Sequence, residues 1–192
     1  DLFVGLPSVD DRSLNDEVAA LVGPDLAASL ARLLAAGRER EIEAIAAYLK
    51  KGGKAIFMLP PREGNELSPL LTEYGVKLGN DAVVDQVVRL FQGPQLGLNP
   101  IVSTYGAHPI TKDIKERTVF PLTRSVDVGP TKPGLVVVSL AKTSESSWAE
   151  TDLTTLFDAQ TATLEESDTK GPVSIAVAVA AAGVPPRLTF DG

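Results

Sequence analysis

The sequence contains no cysteine, one histidine (His108), one tryptophan (Trp148) and one methionine (Met58). Without thiols there is no disulfide, no thiolate zinc site and no cysteine nucleophile. A single imidazole excludes a multi-histidine metal centre. Aromatic residues make up only 5% of the chain, so its core must be built from Val, Leu, Ile and Ala. A basic excess is also missing: the formal net charge is -7, and no Lys/Arg cluster overrides that sign. Nucleic acid and anionic membrane surfaces, which select a basic face, are therefore not expected partners. No apolar run reaches the ~20 residues of a spanning helix, and Val173 to Val184 is too short and too rich in Ala. Asp1 to Pro7 lacks the charged and apolar regions of a signal peptide. There is no G-x-S-x-G elbow, no Walker loop, no H-E-x-x-H and no G-x-G-x-x-G after a strand.

What remains is an ordinary globular balance over 192 residues, with 44% hydrophobic and 22% charged side chains. That is enough for one packed domain, and no repeat or low-complexity linker divides it, so residues 1–192 read as a single α/β domain. Leu2 to Leu6 and Val18 to Val22 are short apolar runs stopped by Pro7 and by Gly23-Pro24, and they read as strands. From Asp25, Leu26, Leu30, Leu33 and Leu34 recur at helical spacing, with Gly37 a candidate interruption. Ile42, Ile45, Ala46 and Leu49 continue the apolar face. The helix is expected to stop at Lys50-Lys51-Gly52-Gly53, with cations in the last turn and glycine beyond it.

Lys54 to Leu59 is then an unbroken apolar run closed by Pro60-Pro61, and Leu135 to Leu140 is a second. A strand without polar alternation is usually covered on both faces. Both runs are therefore expected to be central strands of a mainly parallel sheet, with the Arg40 to Lys51 helix alongside. Leu67, Leu70 and Leu71 suggest a short helix, and Val76 to Leu78 a short strand. Part of Asp81 to Leu90 reads as strand. Val119 to Leu122 and Ser125 to Val128 alternate like edge strands, Val173 to Ala182 is a long strand of period 2, and Arg187 to Phe190 reads as the start of another. Gly93 to Pro100 and Ser144 to Thr155 read as loops.

Three groups could carry chemistry. His108 lies in Tyr105-Gly-Ala-His108-Pro109-Ile110-Thr111, where it is either a ligand-contacting or acid/base imidazole or a histidine held in a turn. Trp148 lies in Thr143-Ser144-Glu145-Ser146-Ser147-Trp148-Ala149-Glu150, just past a strand end. There, hydroxyls beside an indole would suit a sugar or peptide, or would simply cover the sheet. Asp81 and Asp85 could face each other as a hydrolytic pair, although solvated acids are the simpler expectation. The candidate ligand-binding set is Tyr105, His108, Thr111, Ser144, Ser147, Trp148 and Glu150, expected to line one concave region at one end of the sheet. No catalytic residue, metal or cofactor is expected.

Several motifs run in order: Glu41-Ile-Glu-Ala-Ile-Ala-Ala-Tyr-Leu49, Lys51-Gly52-Gly53-Lys54, Leu71-Thr-Glu-Tyr-Gly75-Val-Lys-Leu78, Asp81-Ala-Val-Val-Asp85, Tyr105 to Thr111, Thr143 to Glu150, and Asp168-Thr-Lys-Gly171-Pro172. Together, over roughly Glu41 to Val179, they resemble the GldG-type gliding-motility and ABC-transport auxiliary family. The resemblance implies a three-layer, mainly parallel α/β fold like that of class I glutamine amidotransferases, of flavodoxin/Rossmann type. It implies a non-catalytic extracytoplasmic (periplasmic) accessory or binding domain, excised from a membrane-anchored parent, that works with an ABC permease and ATPase. A saccharide or peptide is the candidate ligand. A related domain occurs in intraflagellar-transport proteins as a binding module. Lacking a cysteine nucleophile, the chain would share the amidotransferase fold without its activity. The alternative is a hydrolase of sugars or peptides using His108 and nearby carboxylates.

Overall fold

The computed structural model describes residues 24–92, 97–102, 104–130 and 132–181. The strand readings at Leu2 to Leu6, Val18 to Val22 and Arg187 to Phe190, and most of the Gly93 to Pro100 loop, lie outside them. Contacts divide the chain into two compact units, Asp1–Met58 and Leu59–Gly192.

In the first unit, helix α1 spans Pro24–Lys50 and runs through Gly37 without a break. It ends as its sequence dictates. Gly53 N–H bonds the Tyr48 carbonyl at 3.0 Å and Gly52 N–H bonds that of Leu49 at 2.9 Å. Gly52 has φ 86, the left-handed turn that glycine adopts without a Cβ penalty. The following segment is not a central strand. No strand forms over Lys54 to Met58: Ile56 is 89% exposed and Met58 is 79% exposed. An apolar run supplies side chains for a sheet but not the neighbouring edge whose N–H and C=O groups would make it a strand.

The second unit holds the remaining described elements. A 3-10 turn at Asn65–Leu67 leads into helix α2 (Ser68–Glu73), then strands β1 (Val76–Leu78) and β2 (Ala82–Asp85), and helix α3 (Gln86–Gln92). Strands β3 (Ile101–Val102), β4 (Thr104–Tyr105), β5 (Thr118–Val119), β6 (Val126–Val128), β7 (Leu135–Lys142) and β8 (Ser147–Glu150) follow. Helix α4 (Leu153–Asp158) and strands β9 (Thr169–Lys170) and β10 (Ser174–Ala181) complete it.

The expectation of a three-layer, mainly parallel α/β sheet is corrected. Every strand pair among the described residues is antiparallel, in four small sheets: β1-β6, β10-β7-β4, β2-β8-β9 and β3-β5. Leu135 to Leu140 does lie in a middle strand, β7. That strand is only half-buried, with Val136 48% exposed. The strands covered on both faces are β2 and β8, whose eight residues are all buried. Alternation explains it. Ala82, Val84 and Trp148 point to one face and pack with Leu153 and Leu156 of α4. Val83 and Ala149 point to the other and pack with Val102, Ala141, Val173 and Ile175. Cover on both faces therefore comes from one short helix and a second layer of strands, and it does not require parallel crossovers.

Candidate functional site

Asp85 ends β2 and begins α3. Its Oδ1 accepts from the Val87 N–H at 3.0 Å and from that of Val88 at 3.4 Å, the cap that the first helical amides require. Its Oδ2 accepts from Ser144 Oγ at 2.9 Å, and Ser146 Oγ reaches Oδ1 at 3.4 Å. The hydroxyls continue the network: Ser144 and Ser146 are 2.8 Å apart, and Thr143 and Ser147 are 2.6 Å apart. Thr143 Oγ1 also accepts from the Val173 N–H at 2.9 Å. Gly171 closes the cluster. A Cβ there would strike the Ser144 carbonyl and Ser147 Oγ, so only glycine lets this backbone approach.

On the opposite face of β8, Trp148 is buried at 4% exposure, and its Nε1 donates to Glu150 Oε2 at 3.1 Å. Glu150 Oε1 accepts from the Asp152 N–H at 3.0 Å. Asp152 caps α4 by accepting from the Thr155 N–H at 3.0 Å. Hydrogen bonds from Thr155 hold the exposed Asp152 carboxyl below its ordinary range.

The imidazole turn is separate. Tyr105 pairs with Ala141, and Gly106 N–H bonds the Leu140 carbonyl at 2.9 Å, so the chain then runs back along β7. Ser144 leaves β7 in the other direction, past Lys142. The chain toward His108 and the chain toward Trp148 therefore leave this two-residue pairing in opposite directions along β7. His108 Nδ1 accepts from the Ile110 N–H at 3.2 Å, and its carbonyl accepts from the amides of Thr111 and Lys112, both at 2.9 Å. Thr111 Oγ1 donates to the Gly106 carbonyl at 2.6 Å, and Tyr105 OH lies 2.6 Å from Thr118 Oγ1. The ligand set named from the sequence thus splits in three: Ser144 and Ser147 around Asp85, Trp148 with Glu150 beneath α4, and Tyr105, His108 and Thr111 in the turn.

Asp81 and Asp85 are not solvated acids; both are buried, at 6% and 2% exposure. Asp81 accepts from Ser125 through its N–H at 2.7 Å and its Oγ at 2.5 Å. Beside it, Arg124 is 1% exposed. Its guanidinium donates to the carbonyls of Gly79 and of Glu63 (2.8 Å) and to Asn65 Oδ1 (2.8 Å). Burial lowers its pKa, and the Asp81 charge offsets part of that. Sequence reasoning missed Arg124, whose partners lie 45 to 61 residues away. The usable signal was an arginine flanked by Thr123 and Ser125 between apolar runs.

These groups saturate one another. The Asp85 carboxylate orders two serines, and the His108 imidazole is bonded elsewhere, to the Ile110 N–H. Among the described residues, no three His, Asp or Glu side chains are placed to hold a metal ion. An open hollow lined by Leu164, Glu165, Glu166, Asp168 and Lys170 lies outside all three groups. Its Asp168 carboxylate already accepts from Thr151 Oγ1 at 2.8 Å and from the Glu165 N–H at 2.9 Å.

A family model described as "ABC-type uncharacterized transport system" matches residues 33–186. No curated protein matches the chain. Among solved structures, the chain is similar to one described as "mmIFT52 N-terminal domain", at 23% identity and a TM-score of 0.44. That likeness covers 58% of this chain and 52% of the other, so the chain spans about half the length of the domain it matches.

Proposed function

Because this chain belongs to the family described as an ABC-type uncharacterized transport system, we propose that it is a non-catalytic accessory domain acting beside an ABC permease and ATPase. We place it on the extracytoplasmic side of the membrane, in a system of the gliding-motility type that its motifs resemble. The family match carries this reading. The hydroxyls and carboxylates add support: Asp85, Ser144 and Ser147 are bonded to one another or to backbone, an arrangement that stabilises a scaffold and leaves no group poised for proton transfer. Among the described residues, no helix is long and apolar enough to cross a membrane.

The absence of cysteine makes the location directly testable. A single cysteine introduced at the exposed Lys112, in the full parent protein in intact cells, should react with a membrane-impermeant maleimide. Protection until the cells are lysed would place the domain on the cytoplasmic side and refute the reading. The accessory role predicts that the full protein co-purifies with an ABC permease and ATPase. Loss of transport on deletion should be restored by an Asp85→Asn variant, which a hydrolase depending on that carboxylate would not allow.

A further inference from the structure

Residues Asp152 to Leu164 leave the sheet after β8 and return before β9, and both ends of this excursion are pinched at one carboxylate. Asp168 Oδ1 accepts from the Thr151 N–H at 3.0 Å and from Thr151 Oγ1 at 2.8 Å, and Oδ2 accepts from the Glu165 N–H at 2.9 Å. Next to this pinch, β8 and β9 pair through Trp148 with Lys170 and Ala149 with Thr169. The base of the excursion is thus held independently of what lies between its ends.

The part between is lightly held. Helix α4 has six residues, far fewer than the ~12 that an isolated helix needs. From Asp152 to Leu164 only Leu153 and Leu156 are buried. Two arginines fasten the segment to the rest of its unit. Arg62 Nη2 donates to the Leu153 carbonyl at 2.6 Å, with the guanidinium 4.5 Å from the centroid of the Phe157 ring, and Arg89 Nη1 donates to the Ala162 carbonyl at 2.6 Å. Arg62 (φ 69) and Gln160 (φ 54) both sit in the left-handed region, which costs a non-glycine residue conformational energy. Few buried side chains and an exposed backbone are the marks of a segment that opens below global unfolding. Leu153, Leu156, Phe157 and Ala162 pack over Ala82, Val84 and Trp148. We propose that Asp152 to Leu164 is a flap latched by Arg62 and Arg89, which opens as a unit while its base stays closed and exposes the Trp148 face of the β2-β8-β9 sheet.

The test is native-state hydrogen exchange of the full chain, read by NMR. The amides of Leu156 and Ala159, bonded to the carbonyls of Asp152 and Thr155, report on the flap, and the amide of Thr143, bonded to that of Val173, reports on the sheet. In the wild type the flap amides should exchange faster than Thr143 after correction for intrinsic rates. Low urea should accelerate Thr143 the more steeply, because global unfolding exposes more surface. Val83→Ala, which loosens the opposite face of β2, should speed Thr143 and leave the flap amides unchanged. Arg62→Ala/Arg89→Ala should speed the flap amides by about tenfold or more, since each latch is a charged hydrogen bond. Flap amides that match Thr143 in rate and urea dependence would overturn the proposal, because the segment would then open only when the whole unit unfolds. So would a Val83→Ala variant that speeds all three amides equally, or a double-arginine variant with unchanged flap exchange. The urea series is run on the wild type and decides the matter even where a variant fails to fold.

Discussion

Trp148 and Glu150 lie on the same face of one strand, two residues apart, and the buried indole donates its N–H to the buried carboxylate at 3.1 Å. The only tryptophan therefore belongs to the core under α4, and its polar edge is satisfied by the neighbour that period-2 geometry brings beside it. Trp148→Ala should destabilise the chain by about 3 to 5 kcal/mol, the usual cost of deleting a buried aromatic. Glu150→Leu should cost about 1 to 3 kcal/mol by orphaning that N–H. Urea unfolding followed by circular dichroism measures both. A change below about 1 kcal/mol for Trp148→Ala would restore a surface role.

Arg124 is a second buried polar centre. Replacing it with Met leaves the carbonyls of Gly79 and Glu63 without their donor and Asp81 without its nearby positive charge. The expected loss is about 3 to 5 kcal/mol. Arg124→Lys should recover little of it, because an ammonium cannot reproduce the planar fork that spans these acceptors. Equal stability of the lysine variant and the wild type would contradict the geometry.

Asp85 joins a helix cap to the serine network. Asp85→Ala should cost more than the ~1 kcal/mol of an ordinary cap, because Ser144 loses its acceptor as well. Ser144→Ala in the Asp85→Ala background should then cost less than it does in the wild type. A double-mutant cycle gives the coupling, and strict additivity would show that the two side chains act independently.

Asp152 gives a pH signature. Its folded pKa is held below the unfolded value of about 3.9, so the cap contributes its full stability above that pH. The contribution is lost as pH falls through the lower folded value. The melting-temperature difference between wild type and Asp152→Ala should be constant above about pH 5 and shrink toward zero in stronger acid. A difference that grows on acidification would reverse the sign and exclude this cause.

Local signals were legible in the sequence, and signals that depend on distant partners were not. The stop at Gly52-Gly53 was readable because its donors and acceptors lie within six residues. The strands at Leu135 to Leu140 and Val173 to Ala182 were readable as apolar runs. Their direction was not, since burial on a face says nothing about which way the neighbouring strand runs. Ser147–Glu150 read as loop because it carries Ser and Glu, whose burial is tolerated only through the partners Thr143, Ser144, Trp148 and Asp152. Lys54 to Leu59 shows the converse, with the composition of a strand and the exposed side chains of Ile56 and Met58. His108, singled out for its rarity, accepts a hydrogen bond two residues away, and rarity alone carried no geometric information.

The clasp around Arg124 also bears on how such a chain can change over evolutionary time. Its guanidinium reads main-chain oxygens at Gly79 and Glu63, and a single side chain, Asn65. Carbonyl oxygens are the same whichever residue carries them. The identity of residue 63 is therefore free to drift as long as the loop keeps its path, while the arginine and the asparagine are fixed. A substitution at one of these two positions would have to be answered at the other. In related chains this predicts a pair that varies together amid neighbours that vary freely.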